Sequence, residues 1–118
     1  MRLRNILLAV NDMEQSKAFY QKYFSMSVIR DFCENVILTE GLVLQEQKSW
    51  ERLIEANIIT GNASELFFVE DNLDSFLRQI EPYLEESSQT ANVRENFWGK
   101  RVLMLKDPDG HLIEVAEG

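Results

Sequence analysis

The order strand, helix, strand, strand, strand can be read twice along these 118 residues. A chain that repeats itself in this way must build two similar helix-on-sheet layers. In the first pass Leu3–Val10 is a short β-rich run ended by Asn11-Asp12. Asp12, with Gln15 three residues on, is a variant capping box, so the strand should feed a helix directly. Ser16, Phe19, Tyr20 and Tyr23 fall at i, i+3, i+4 and i+7, one face of a helix that lies on something apolar. Residues 27–32, 36–39 and 42–45 are β-leaning runs broken by Cys33-Glu34-Asn35 and Glu40-Gly41, the spacing of an antiparallel meander.

The second pass starts at Glu65–Val69, with Asp71 as the expected N-cap and Leu73, Phe76, Leu77 and Ile80 as the helix face. Glu81-Pro82 should end or kink that helix, and residues 85–89 read as a polar loop. Residues 90–94, 100–105 and 111–116 are the three closing strands. Val10-x-Asp12 recurs as Val69-x-Asp71, although the helix faces recur with a slip of two residues. The expected organisation is one domain over 1–118. Module one covers about 1–47, a connector about 48–62 closes on Thr60-Gly61-Asn62, and module two covers about 63–118.

Composition narrows the partners. With 45% apolar residues the chain can fill a core, and 20 acidic against 12 basic residues give a net charge of −8. That sign repels phosphate backbones and anionic membranes, so neither nucleic acid nor a membrane surface is an expected partner. No run approaches the ~18 apolar residues of a membrane span. One cysteine, Cys33, and one histidine, His111, make an internal disulfide or a Cys/His zinc cluster impossible, which fits a reducing cytoplasm. Asp31 and Glu34 beside Cys33 discourage its thiolate.

Asp107-Pro108-Asp109-Gly110 is a tight-turn signal that predicts a hairpin between 100–106 and 111–117. Together with AVNDMEQSKAFYQKYF, FFVEDNLDSFL and WGKRVLMLKDPDGHLIEV, it makes the chain resemble the vicinal oxygen chelate superfamily. This is the group of glyoxalases, bleomycin-resistance proteins and extradiol dioxygenases. The resemblance implies an α+β fold of two βαβββ modules whose curved mixed sheet surrounds a cavity, in a homodimer. If the turn closes around 107–110, residue 106 faces 111, 105 faces 112 and 103 faces 114. Arg101, Leu103, Leu105, Leu112, Glu114 and Ala116 then share a face, which the resemblance makes the cavity face. His111 falls opposite and should cap the hairpin.

Metal-dependent members of that superfamily use a histidine in strand one, a histidine opening module two and a glutamate in the last strand. The matching positions here are Asn5, then Ser64 or Glu65 depending on register, and Glu114; a further position falls near Gln45 or Glu46. Only Glu114 matches. Amides and carboxylates do not replace imidazoles for zinc, nickel or ferrous iron, so no cofactor is expected, while a hard divalent ion on oxygen ligands stays open.

The expected ligand-binding residues are Asn5, Leu7, Trp50, Phe68, Trp98, Arg101, Leu103 and Glu114. Asn5 is either a ligand-orienting amide or a rim residue. Glu114 is either a salt-bridge partner of Arg101 or a polar anchor, and it is the one weak candidate for a catalytic or metal-binding role. Trp50 and Trp98 either stack on a flat ligand or serve core and dimer contacts, while Tyr20 and Tyr23 pack at the sheet edge. Three functions stay open. The first is a metal-free binder of a small organic molecule, with resistance by sequestration as one form. The second is a metal- or Glu-dependent lyase, isomerase or dioxygenase, and the third a dimerisation or interaction domain.

Overall fold

Ile6–Val10 forms β1, and Asp12 stops it by turning its carboxylate onto the Gln15 N–H (3.1 Å), which caps helix α1 at Met13–Phe24. The buried face of α1 is Ser16, Phe19, Tyr20 and Tyr23, as the spacing predicts. Phe19 sits at its centre, stacked on Tyr23 at 4.2 Å and edge-on to Tyr20 at 5.0 Å. Ser25 ends the helix in the left-handed region (φ 54°). Strands β2 (Val28–Asp31), β3 (Asn35–Leu38) and β4 (Leu42–Glu46) follow, the last two joined by a 3₁₀ turn.

The computed structural model describes residues 1–118 apart from Thr60, Ser88, Thr90, Asn96 and Phe97. It divides into two compact units, Met1–Thr60 and Gly61–Gly118. In the first, the sheet order is β1-β4-β3-β2, with β1 parallel to β4 and the remaining pairs antiparallel. Val10, Tyr20, Val36, Leu38 and Leu44 are sealed from solvent and form its core. Full burial of each such side chain contributes about 1.5–3 kcal/mol.

The stretch expected as a connector holds helix α2, Gln47–Ile54. Its cap is Glu46, whose carboxylate accepts the Ser49 N–H at 2.7 Å, a role more often taken by Ser, Thr, Asp or Asn.

The second unit repeats the plan. Strand β5 (Glu65–Glu70) leads into α3 (Leu73–Ser87), then come β6 (Asn92–Glu95), β7 (Arg101–Lys106) and β8 (Leu112–Glu117), in the order β5-β8-β7-β6. The topology of the two sheets is therefore the same. The expected turn residue Thr60, loop residue Ser88 and strand residue Thr90 lie outside the described residues.

For α3 the expected cap is corrected, and of the two expectations for Pro82 the one that it ends the helix is excluded. Its cap is Asn72, not Asp71: the Asn72 side-chain oxygen accepts the Ser75 N–H at 2.9 Å, because β5 runs on to Glu70 and pushes the start one residue along. Pro82 does not end the helix. Leu73, Phe76, Ile80 and Leu84 are all buried, so the apolar face continues past the proline and packing outweighs the lost backbone bond.

Candidate functional site

The β7–β8 register decides which side chains can meet. Lys106 pairs with Leu112, Leu105 with Ile113, Met104 with Glu114 and Leu103 with Val115. The expected pairing of 103 with 114 is thus off by one residue, and a one-residue slip sends every side chain of one strand to the other face. Arg101 marks the side covered by α3, because its guanidinium makes a two-pronged contact with Asp74 in the first turn of that helix (3.0 and 3.3 Å). By alternation Leu103 and Leu105 lie on that side, both sealed from solvent, while Val102 and Met104 share the opposite face with Glu114.

Strand β5 is parallel to β8 and sets Phe67 beside Glu114 and Phe68 beside Val115. Phe67, not Phe68, therefore lies on the Glu114 face. On that face Glu65, Phe67, Arg94, Trp98, Met104 and Glu114 line an open hollow of about 520 Å³, with Val102 and Glu95 completing it. Of the expected ligand-binding residues, Trp98 and Glu114 meet here. Phe68, Arg101 and Leu103 belong to the α3 side.

The expected Arg101–Glu114 pair is not formed. Arg101 bonds Glu117 as well as Asp74, which holds both carboxyls below the usual carboxylate range and raises the guanidinium's own value. Glu114 makes no hydrogen bond or ion pair with any other described residue. Burial, and then the like charge of Glu65, push its carboxyl up, partly offset by Arg94.

The remaining expected residues lie in the first unit. Asn5 is exposed just ahead of β1 and donates its side-chain N–H to the Gly41 carbonyl at 3.2 Å. Leu7 is exposed on β1, and Trp50 is half-buried on α2. The hollow's residues that the sequence did not point to are Phe67, Arg94, Glu95, Val102 and Met104. Only strand pairing, not local pattern, could have found them.

A family model described as a glyoxalase-like domain matches residues 3–118. The chain belongs to the glyoxalase-like domain family. Among solved structures it is similar to a protein of unknown function from Agrobacterium tumefaciens, at 28% identity and a TM-score of 0.82 over 100% of this chain and 94% of that one. A lactoylglutathione lyase from Agrobacterium tumefaciens shares the fold at 19% identity and a TM-score of 0.72, covering 99% and 93% of the two chains. So does a genomically encoded fosfomycin resistance protein from Listeria monocytogenes, at 19% identity and a TM-score of 0.76, covering 100% and 93%. No curated protein matches. Like its relatives, this glyoxalase-like chain is α+β, two βαβββ modules with mixed four-stranded sheets.

The resemblance implies a metal site in some members, and the matching residues here can be tested for whether they fit an ion. The Gln45 amide is occupied at both ends, accepting from Asn35 (2.7 Å) and donating to Ser49 (2.8 Å), and Glu46 caps α2. Ser64 is exposed ahead of β5, whereas Glu65 lies within it and acts electrostatically on Glu114. What is left in the second unit is a pair of carboxylates with no imidazole, a donor set that does not fit a zinc, nickel or ferrous centre. Asp107, Asp109 and His111 do cluster, with their ligand atoms within 4.8 Å of one another. Asp107, however, spends one carboxylate oxygen on the backbone N–H groups of Asp109 (3.0 Å) and His111 (2.9 Å), so the cluster is the framework of the hairpin turn.

Proposed function

We propose that this glyoxalase-like protein binds a small organic molecule in the hollow on the Glu114 face, without a transition metal. The observation that carries the reading is the setting of Glu114. A partly buried carboxyl with no hydrogen-bonding partner among the described residues stands on an apolar floor of Val102 and Met104. Phe67 and Trp98 beside it are 51% and 76% exposed. Large rings with a few convergent polar groups are the usual make-up of a ligand site. Glu114 is the polar anchor and the rings supply contact area. Resistance by sequestration of a toxic molecule is one form such binding takes.

A second reading has a specific observation in its favour. A carboxyl pushed above its ordinary range can exchange a proton nearer neutral pH, as a general acid or base of a lyase or isomerase must. Binding ranks first because no second catalytic group is hydrogen-bonded to Glu114 among the described residues. A homodimer in the cytoplasm completes the proposal, supported by family likeness and by a lone cysteine that allows no internal disulfide.

The test is a ligand-observed NMR screen of a small-fragment library, with thermal shift as the second readout. Hits that lose at least fivefold in affinity in Phe67→Ala and Glu114→Gln support the reading. A library that yields no hit, or hits indifferent to both substitutions, overturns it.

A further inference from the structure

We infer that Glu65 and Glu114, flanked by Phe67 and Trp98, recognise the ammonium group of an organic amine. The inference rests on the proposal that the hollow binds a small molecule, and it names the chemical class of that molecule.

Glu65 and Glu114 stand on adjacent strands of the same sheet face, with Phe67, the rung partner of Glu114, next to both. Two carboxylates placed this way repel each other, and no described residue forms an ion pair with either. Against these two carboxylates the lining sets one guanidinium, Arg94, which stands on the Glu114 face as the rung partner of Val102. The hollow is therefore net negative, and a cation seated between Glu65 and Glu114 relieves a repulsion that the free protein carries.

An ammonium suits this place better than a bare metal ion. Its N–H groups can be shared between two carboxylates, whereas a metal ion needs several more oxygen ligands than these two side chains supply among the described residues. The exposed rings of Phe67 and Trp98 suit the cation and the carbon skeleton attached to it, through cation–π attraction and apolar contact.

The experiment uses three probes of one shape and different charge: benzylammonium, benzyl alcohol and benzoate. Binding to the full chain is followed by the indole N–H signal of Trp98 in two-dimensional NMR, assigned with a Trp50→Phe variant. Benzylammonium is expected to bind at least fivefold more tightly than benzyl alcohol, and benzoate more weakly than either. Glu65→Gln and Glu114→Gln, both near-isosteric, should each cost benzylammonium threefold or more, and cost it more than they cost benzyl alcohol. Equal affinity for the three probes, tighter binding of benzoate, or indifference of benzylammonium to both variants overturns the inference while leaving the hollow as a binding site. If none of the three moves the Trp98 signal, the binding proposal falls together with this inference.

Discussion

Met104 faces Glu114 directly across the β7–β8 ladder, and this pairing puts Val102 and Met104, not Leu103 and Leu105, on the Glu114 face. It follows from the turn. Five residues, Asp107 to His111, separate the last pair of the hairpin, Lys106 and Leu112. The Asp107 N–H bonds the His111 carbonyl at 3.1 Å, and the Gly110 N–H bonds the Asp107 carbonyl at 3.0 Å. A four-residue closure would have set Leu103 opposite Glu114. The fifth residue sets Val115 opposite Leu103 instead and leaves Glu114 opposite Met104.

Asp107 is therefore expected to matter out of proportion to its place in a loop. It is buried, and its carboxylate receives two backbone N–H groups of the turn. Asp107→Ala leaves both donors without that acceptor and should cost about 1–3 kcal/mol. Asp107→Asn keeps an acceptor oxygen and should lose less than half as much. Urea denaturation of the two variants checks the order, and equal losses would show that charge rather than hydrogen bonding holds the turn.

Glu114 should weaken the fold at neutral pH. Its carboxyl is raised in the folded protein, so the folded state binds the proton more tightly than the unfolded chain does. Stability from this group is then greatest below the unfolded value and declines as pH rises through the window up to the folded value. Glu114→Gln removes the titration, and is expected to raise Tm by roughly 1–3 °C at pH 7 and to gain nothing near pH 4. Thermal melts across that range decide it; a gain independent of pH would assign the effect to packing.

How far the sequence could be read depends on the range of the interaction involved. The face Ser16, Phe19, Tyr20 and Tyr23 was legible because a helix's buried stripe follows from its own 3.6-residue period. Both modules and their β-α-β-β-β order were legible for the same local reason. Which side of β7 meets Glu114 was not, because strand parity depends on whether the turn joining β7 to β8 holds four residues or five, and Asp107-Pro108-Asp109-Gly110 signals a turn without fixing that number. Phe67 was passed over for Phe68 because the choice is made by the parallel register of β5 on β8. Helix α2 was missed because its cap is a glutamate, Glu46, which the usual start signals leave out.

Arg101 should act on stability and not on binding. It joins the start of α3 to the end of β8 through Asp74 and Glu117, both of whose carboxyls are lowered in the folded state. Such groups add stability above their unfolded values and lose it as pH falls through the folded ones. Arg101→Ala is expected to lower Tm at pH 7, by less in high salt, and to converge with the wild type in acid. Its affinity for any ligand of the hollow should stay within twofold. A larger loss of binding would place Arg101 on the Glu114 face after all.

Leu103 and Phe67 provide the sharpest separation of the two faces. Leu103 is sealed from solvent, so Leu103→Ala should cost about 2–5 kcal/mol through lost burial and the cavity left behind. Phe67 is half exposed and borders the hollow, so Phe67→Ala should cost the fold far less, about 1 kcal/mol, while removing most of the affinity for a ring-bearing ligand. Urea melts and NMR titration of the two variants form a crossed test. If Leu103→Ala weakens binding while the protein stays folded, and Phe67→Ala leaves binding intact, the ligand face is the one covered by α3 and the register argument for the site fails.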